Sequence, residues 1–359
     1  MDKRMLQKLE ERNQRIIEAV IRKAERECPG ALAMIGVYGS FCTGDCHEKS
    51  DLDLLILIND DRGWVLSNGF VLDGVGFDLY CTTWESLEAD AAYASPHIAK
   101  LMDSKIVYCP HEADRMRLEK LRENVRRILE QPMCAEDLLR AEREFGEAER
   151  AYARLMRGET VSVCRAHGAE LLYHMENAVC LLNKRYFHLG VKRVFEEFSG
   201  MHDVPLGFET LADRLVHADG IDGLRAVADA LLRATDDCFS RVRMIVPAEK
   251  PAPGADDLRG TLEEMISNWR GKIYEAAENG NAHAALMAVC SLQSFFDDLA
   301  GEFDMVHHDA IACFDPADLG KTAKAFDAVL SAYCGEYEKA GLSLCSYKGI
   351  EQFEAAYNP

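Results

Sequence analysis

The chain has 359 residues, 48% of them hydrophobic, and a formal net charge of −20 at pH 7. This length suggests two or three domains, with ample apolar side chains for packed cores. The negative charge argues against a nucleic-acid substrate, which favours a basic track on the protein. No apolar run approaches the ~18 residues of a membrane span, so no membrane association is expected.

The cysteines and the first residues indicate the compartment. The thirteen cysteines are scattered through apolar segments rather than regularly spaced. The start Met-Asp-Lys-Arg, followed by a polar helix, is not typical of a signal peptide. We therefore expect reduced, mostly buried thiols in a cytoplasmic protein.

The first third of the chain alternates between helical and strand patterns. In chain order the prediction is a helix at 3–27, a strand at 31–38, a turn with a short helix at 39–48, a strand at 51–58, a hairpin of 70–72 with 76–83, helices at 84–94 and 96–102, a strand at 105–108 and a helix at 112–130. Gln131 and Pro132 then close a small mixed sheet with helices on one face.

Almost every later segment has helical period. Candidate helices cover 135–157, 160–184, 190–199, 221–245, 256–279, 282–304 and 317–340. The clearest linker is formed by Pro247, Pro251, Pro253 and Gly254. The sequence thus predicts an α+β fold: a catalytic domain at 1–132 and a helical acceptor-binding region at 133–359, with a sub-boundary near 247–254.

The stretch from Gly36 to Ile58 carries the chemistry. Asp51 and Asp53 stand at the head of an apolar run, and side chains of a strand alternate, so both carboxylates are expected on one face. Two adjacent acids repel each other unless a cation lies between them, and Mg²⁺ commonly binds one or two carboxylates plus substrate phosphates.

Residues around the two acids suit a phosphate group. The turn at Gly39 and Ser40 offers backbone N–H groups and a hydroxyl to a phosphate. Lys49 and Ser50 flank the acids and are further candidates for nucleotide contacts. Together with the acids, these residues indicate a site for a metal and a nucleoside triphosphate.

A third acid, Asp78, lies in a segment that is typical of a strand. It alternates with Phe77 and Leu79, so it can share a face with Asp51 and Asp53. Three carboxylates on neighbouring strands are enough for two metal ions, one at the attacking oxygen and one at the triphosphate.

The set Gly39-Ser40, Asp51-x-Asp53 and Asp78 resembles the signature of the polymerase-beta-like nucleotidyltransferase superfamily, and its spacing is most similar to small bacterial members that modify antibiotics. The matching residues cover about positions 33 to 83. A softer resemblance, to the C-terminal helices of antibiotic-type members, runs through 182–187, 192–197 and 205–208. The resemblance implies transfer of a nucleoside monophosphate, usually from ATP, to a hydroxyl, with release of pyrophosphate.

The acceptor and the general base are weaker predictions. Residues 1–132 carry 18 basic and 23 acidic residues, and the remainder carries 23 and 38, so most of the acidity falls in the region assigned to the acceptor. An acidic cleft would attract a cationic acceptor such as an aminoglycoside, although charge that serves only solubility explains the count equally well. A carboxylate of the 160–184 helix could act as base: Glu170 is the first candidate, followed by Glu176 and Glu144.

Alternatives remain open from sequence. One is a protein adenylyltransferase of the antitoxin type, and another is a nucleotide-binding regulatory protein without catalysis. Cys42, Cys46 and His47 could suggest zinc, but a fourth ligand at recognisable spacing is missing. If the C-terminal region were a ribonuclease module of a toxin system, an Arg-x(4–6)-His motif would be expected. This motif does not occur cleanly around Arg165 or Asn183, which argues against that function. Oligomeric state is left open by the sequence.

Overall fold

The structure is a computed structural model that describes residues 3–246 and 250–358. The chain divides at 247/248 into two compact units. Pro247, the first residue of the predicted linker, lies outside the described residues. The predicted functional boundary at 132 falls inside the first unit.

The sheet and its surrounding helices occupy the first part of unit 1. The elements are α1 (Lys3–Glu27), β1 (Leu32–Val37), α2 (Ser40–Thr43), β2 (Leu54–Ile58), a 3₁₀ turn (Asp61–Leu66), β3 (Asn68–Leu72), β4 (Val75–Leu79), β5 (Cys81–Thr83), α3 (Trp84–Ala91), α4 (Ala99–Met102), β6 (Lys105–Tyr108) and α5 (Glu112–Glu130). The mixed sheet has the order β5-β2-β1-β6, and β3 and β4 form a separate hairpin. This confirms the predicted small mixed sheet.

Strand β2 is the centre of this part because both of its faces are covered. Leu55 and Leu57 pack in one core with α3, α5 and later helices, whereas Leu54, Ile56 and Ile58 pack in a second core beneath α1. A strand that is buried on both faces has no need of polar residues, which explains its uninterrupted apolar sequence. Polar side chains collect just before it.

The second half of unit 1 is helical, as predicted. It contains α6 (Ala135–Arg157), α7 (Val161–Leu182), a 3₁₀ turn (Val191–Arg193), α8 (Val194–Phe198), α9 (Phe208–Val216) and α10 (Gly220–Arg243). These helices share a core with one face of the sheet, including a stacked contact between Phe145 and Phe239 at 4.9 Å. The sequence prediction omitted α9, whose nine residues give only two and a half helical turns.

Unit 2 is also helical. It contains α11 (Ala255–Leu258), α12 (Thr261–Glu264), a π-helical segment (Met265–Arg270), α13 (Gly271–Glu278), α14 (Ala282–Glu302), a 3₁₀ turn (Ile311–Cys313), α15 (Leu319–Lys339) and α16 (Ile350–Tyr357). The predicted helix 256–279 is wrong as one element, because Gly260 takes a left-handed conformation with φ of 85°. None of the helices in the described ranges combines the length and apolar character that crossing a bilayer requires.

Candidate active site

Asp51 and Asp53 lie in the extended segment that enters β2, not within the strand itself. The predicted strand start at 51 is therefore wrong by three residues. The backbone N–H of Tyr38 still donates to the Asp53 carbonyl at 3.1 Å, which extends the β1–β2 pairing by one step. Leu52, between the two acids, is buried, so the acids face away from the core.

Gly39 is in direct contact with Asp53. Its φ is 64°, and a Cβ atom at this position would lie 2.0 Å from the Asp53 Oδ2 atom. The backbone N–H of Ser40 donates a hydrogen bond to the Asp53 carboxylate. The Gly-Ser turn and the acid therefore form one packed unit, which only glycine at position 39 permits.

The electrostatics around Asp53 favour a bound cation. Burial raises the pKa of Asp53, the negative charge of Asp51 raises it further, and the hydrogen bond from Ser40 opposes both. A cation between the two carboxylates would remove the repulsion and stabilise both ionised forms. The chemistry of this pair of acids fits Mg²⁺, which needs only one or two carboxylates when phosphates supply further oxygens.

The hydroxyl of Ser40 is an orphaned polar group. Its Oγ atom is buried and has no hydrogen-bond partner in the described part of the chain. Unpaired buried polar atoms are uncommon in native proteins and call for an explanation. A phosphate oxygen at this position would satisfy it.

A polar pocket of about 460 Å³ opens beside these groups, and we call it the phosphate pocket. His47, Lys49 and Lys192 line it together with Ser40, Asp51 and Asp53. The pocket thus combines two carboxylates for a cation with nitrogen-bearing side chains for an anion. This combination suits a metal-bound triphosphate.

Ser50 lines the same pocket, but its side chain stabilises the loop. Its Oγ accepts the backbone N–H of His47 at 2.9 Å, and its carbonyl accepts from the Arg12 guanidinium at 2.8 Å. The Nδ1 atom of His47 in turn accepts the N–H of Lys49 at 3.1 Å. These bonds hold the loop that presents Lys49 to the pocket.

Asp78 is the third predicted acid, and it lies on β4 of the hairpin. The hairpin is a separate sheet, and the parallel pairing of β2 with β5 begins only at Ile56 and Cys81, so it does not extend to Asp53 and Asp78. The negative charges of the three acids act on the phenol of Tyr38. Its pKa is raised to about 12, mainly by burial and further by Asp53, Asp51 and Asp78.

No group of three or more His, Cys, Asp or Glu side chains in the described ranges is arranged to hold a metal ion by itself. Asp78 therefore does not join Asp51 and Asp53 in a compact ligand cage. The zinc interpretation of Cys42, Cys46 and His47 receives no support either. Cys42 donates its thiol to the Val37 carbonyl at 3.2 Å instead.

A second, larger cavity of about 670 Å³ lies next to the phosphate pocket, and we call it the acceptor cavity. Ser40, Asp53 and Lys192 line both. Its other walls come from distant parts of the sequence, including Asp90 and Phe187. The two cavities meet at the residues that would surround a reacting phosphate.

Two ring side chains, His97 and Phe187, line part of the acceptor cavity. His97 stacks on Tyr173 with ring centroids 5.6 Å apart and an interplanar angle of 3°, and Phe187 lies 5.3 Å from the His97 ring. The Nε2 atom of His97 is 2.8 Å from the Asn177 Oδ1 atom, which fixes the ring. Such a wall suits a ligand with a flat or apolar portion.

The three candidate bases of α7 and α6 do not line either cavity. Glu170 is exposed and binds Arg154 at 2.8 Å and His167 at 3.0 Å, and the hydrogen bond from His167 lowers its pKa. Glu144 is 2.9 Å from the His174 Nδ1 atom. Burial raises the pKa of Glu176 to about 7, which would suit a base, but Glu176 lines neither cavity.

Comparison with known proteins decides the family. A family model described as "Nucleotidyltransferase domain" matches residues 14–134, about a third of the chain. Residues 14–134 are a nucleotidyltransferase domain. This domain belongs to the polymerase-beta-like nucleotidyltransferase superfamily, and the match supports a nucleotidyltransferase enzyme. A comparison with curated proteins returned no match.

Sequence reasoning missed several residues that surround the candidate site. The sequence predicts only a strand residue at Tyr38 and assigns no role to His97. Phe187 and Lys192 lie in the softer resemblance, which gives neither of them a role. The available signal was the pair Lys192-Arg193, which follows Gly190 in a long helical region. Only the tertiary fold brings this pair near Asp53.

Proposed function

We propose that the chain is an Mg²⁺-dependent enzyme that transfers a nucleoside monophosphate, AMP from ATP, to a hydroxyl group of a small molecule. The observation that carries this proposal is the junction of two cavities at Ser40, Asp53 and Lys192. A transfer reaction needs a donor and an acceptor on opposite sides of one phosphorus atom, and this junction offers that arrangement.

Each residue of the phosphate pocket has a role in the proposal. Asp51 and Asp53 would hold the metal, whereas Asp78 lines neither cavity and is given no role in metal binding. The bound metal supplies positive charge that stabilises the charge developing on the phosphate oxygens. Ser40 would donate its hydroxyl to a phosphate oxygen, while Lys49 and Lys192 would balance the charge of the triphosphate.

The reaction then proceeds from the acceptor cavity. The acceptor hydroxyl oxygen forms a bond to the α-phosphorus, the bond from that phosphorus to the bridging oxygen breaks, and pyrophosphate leaves. The hydroxyl proton passes to solvent water during the attack. Lys192, which borders both cavities, would stabilise the leaving pyrophosphate or the transferring phosphate.

The charges in the walls do not single out a polycationic acceptor. Asp45, Asp53 and Asp90 are matched by Lys100, Lys192 and Arg193. The acidity of the chain lies mainly elsewhere, because residues 250–358 contain 8 basic and 18 acidic residues, whereas 133–246 contain 15 and 19. We therefore propose a hydroxylated acceptor with a flat or apolar portion, and an aminoglycoside is one compound to test among others.

The decisive experiment is pyrophosphate release from ATP and Mg²⁺ across a panel of hydroxylated compounds, aminoglycosides included. We expect release that depends on one class of acceptor and is lost in Asp53→Asn. Release that persists in Asp53→Asn would contradict the assignment. Silence across the panel, with ATP still bound, would favour a protein acceptor of the antitoxin type or a regulatory role.

A further inference from the structure

The segment from Tyr186 to Arg193 forms one wall of the acceptor cavity and carries Lys192 to the junction. Its first half is attached to other elements of unit 1. Asp103 accepts from the Tyr186 hydroxyl at 2.8 Å and lies 3.0 Å from the His188 Nδ1 atom. Glu197 accepts the backbone N–H groups of His188 and Leu189 at 3.0 and 2.7 Å.

The second half of this segment is attached to the loop that follows α2 by an ion pair. The Nη1 atom of Arg193 is 2.8 Å from the Asp45 Oδ1 atom, and both side chains are about one-third exposed. The other edge of the guanidinium binds Glu196 through Nε and Nη2 at 2.9 and 2.7 Å. Arg193 thus joins a helix of the later region to the Gly-Ser turn.

Asp45 is itself tied to the phosphate-binding residues. Its backbone N–H donates to the Ser40 carbonyl at 3.1 Å, and its Oδ2 atom accepts from the Thr43 hydroxyl at 2.8 Å. Lys192 precedes Arg193 directly and has no ion-pair partner in the part of the chain that the structure describes. Its position is therefore set by its neighbours rather than by its own contacts.

We propose that Arg193 is a positioning residue: through its ion pair with Asp45, it holds the Lys192 ammonium beside Ser40 and Asp53, where the triphosphate binds. The inference rests on the proposed function, since it assigns Lys192 to that substrate. Arg193 lines the acceptor cavity but not the phosphate pocket, so in this account it does not touch the triphosphate. Loss of the pair would release the 188–194 segment and remove Lys192 from the phosphate pocket, which weakens nucleotide binding.

A double-mutant cycle tests the pair. Arg193→Gln and Asp45→Asn are each expected to raise the KM for ATP roughly tenfold, and the double variant is expected to be no worse than either single variant. Because Lys192 is also assigned to the leaving pyrophosphate, kcat should fall in the same variants. Arg193→Lys, which can still reach Asp45, should restore most of the affinity.

The matched control is Arg243→Gln. Arg243 forms a comparable pair with Glu142 at 2.7 Å and a weaker one with Asp236 at 3.4 Å, and it lines neither cavity. This variant should lose a similar amount of stability without a change in KM. If Arg193→Gln behaves like Arg243→Gln, or if the two substitutions of the cycle are simply additive, the proposal is overturned.

Amide hydrogen exchange separates this inference from the proposed function. Arg193→Gln should accelerate exchange in 188–194 whether or not an acceptor has been found, because the measurement needs no turnover. Failure of ATP turnover in the wild-type protein, with faster exchange in the variant, would refute the function and retain the positioning contact. Unchanged exchange in 188–194 would refute the positioning role.

Discussion

The two cavities that meet at Asp53 differ in where their residues come from. Apart from Lys192, every residue that lines the phosphate pocket lies between positions 40 and 76, within a single stretch of chain. The acceptor cavity gathers residues from 38 to 193, including Asp90, His97 and Phe187. A local motif therefore specifies the phosphate chemistry, whereas the packing of the helical region on the sheet shapes the acceptor site.

This difference has a functional meaning. Substitutions in the phosphate pocket should affect every acceptor equally, because all of them would use the same nucleotide. Substitutions confined to the acceptor cavity should change the preference among acceptors and leave the handling of ATP intact. The two cavities can therefore be perturbed separately.

The largest effect is expected from Gly39→Ala. A Cβ atom here would lie 2.0 Å from the Asp53 Oδ2 atom, at a backbone φ of 64°, so the carboxylate must move. We expect nucleotidyl transfer to fall by more than about a hundredfold in a pyrophosphate assay. Gly146→Ala, in open space within α6, is the matched control and should retain activity. Survival of more than about a tenth of the activity in Gly39→Ala would contradict the packed turn.

The next largest effect is expected from substitutions that alter one cavity and leave the other intact. Lys49→Ala should raise the KM for ATP roughly tenfold and leave the KM for the acceptor unchanged, because Lys49 lines the phosphate pocket and not the acceptor cavity. His97→Ala should do the reverse, since it removes a wall of the acceptor cavity. Steady-state kinetics with both substrates varied would reveal the split. Equal effects on both constants would show that the cavities do not act separately.

A smaller effect concerns stability and pH. Burial raises the pKa of Glu176 to about 7 in the folded protein, above its unfolded value, so its contribution to stability is full below about pH 4.5 and is lost as the pH rises through 7. Glu176→Gln should therefore stabilise the protein relative to wild type at pH 8, by on the order of 1 to 2 kcal/mol after allowance for residual hydration. Urea unfolding at pH 5 and pH 8 measures this. An equal difference at both pH values would refute the raised pKa.

The smallest effect is expected from Glu170→Gln. Glu170 forms an exposed network with Arg154 and His167 and lines neither cavity. Exposed ion pairs contribute little, so turnover should stay within about twofold of wild type. A large loss of kcat would instead restore Glu170 as the base that its place in the sequence suggested.

The sequence was informative where function depends on neighbouring residues. Gly39, Ser40, Asp51 and Asp53 lie within fifteen residues, and their spacing alone predicted the phosphate chemistry. The start of β2 was misplaced because alternation of buried and exposed side chains continues through Leu52 into the extended segment before the strand.

The residues of the acceptor cavity could not be predicted from sequence in the same way. Helical period correctly predicted α7, but it does not show which face of α7 packs toward the sheet. The sequence therefore favoured Glu170, whereas the residues of α7 that contact His97 at the acceptor cavity are Tyr173 and Asn177. The overall charge also gives no guide to the acceptor, because a count over 133–359 merges the two units, and residues 250–358 carry most of the excess acid.

The central claim is that Asp51 and Asp53 bind a metal–nucleotide complex, and calorimetric titration with a non-hydrolysable ATP analogue tests it without an acceptor. The account predicts that wild-type protein binds the analogue more tightly when Mg²⁺ is present, and that Asp53→Asn loses this dependence on Mg²⁺ while remaining folded. Binding by Asp53→Asn with the same dependence on Mg²⁺ as wild type would contradict the claim.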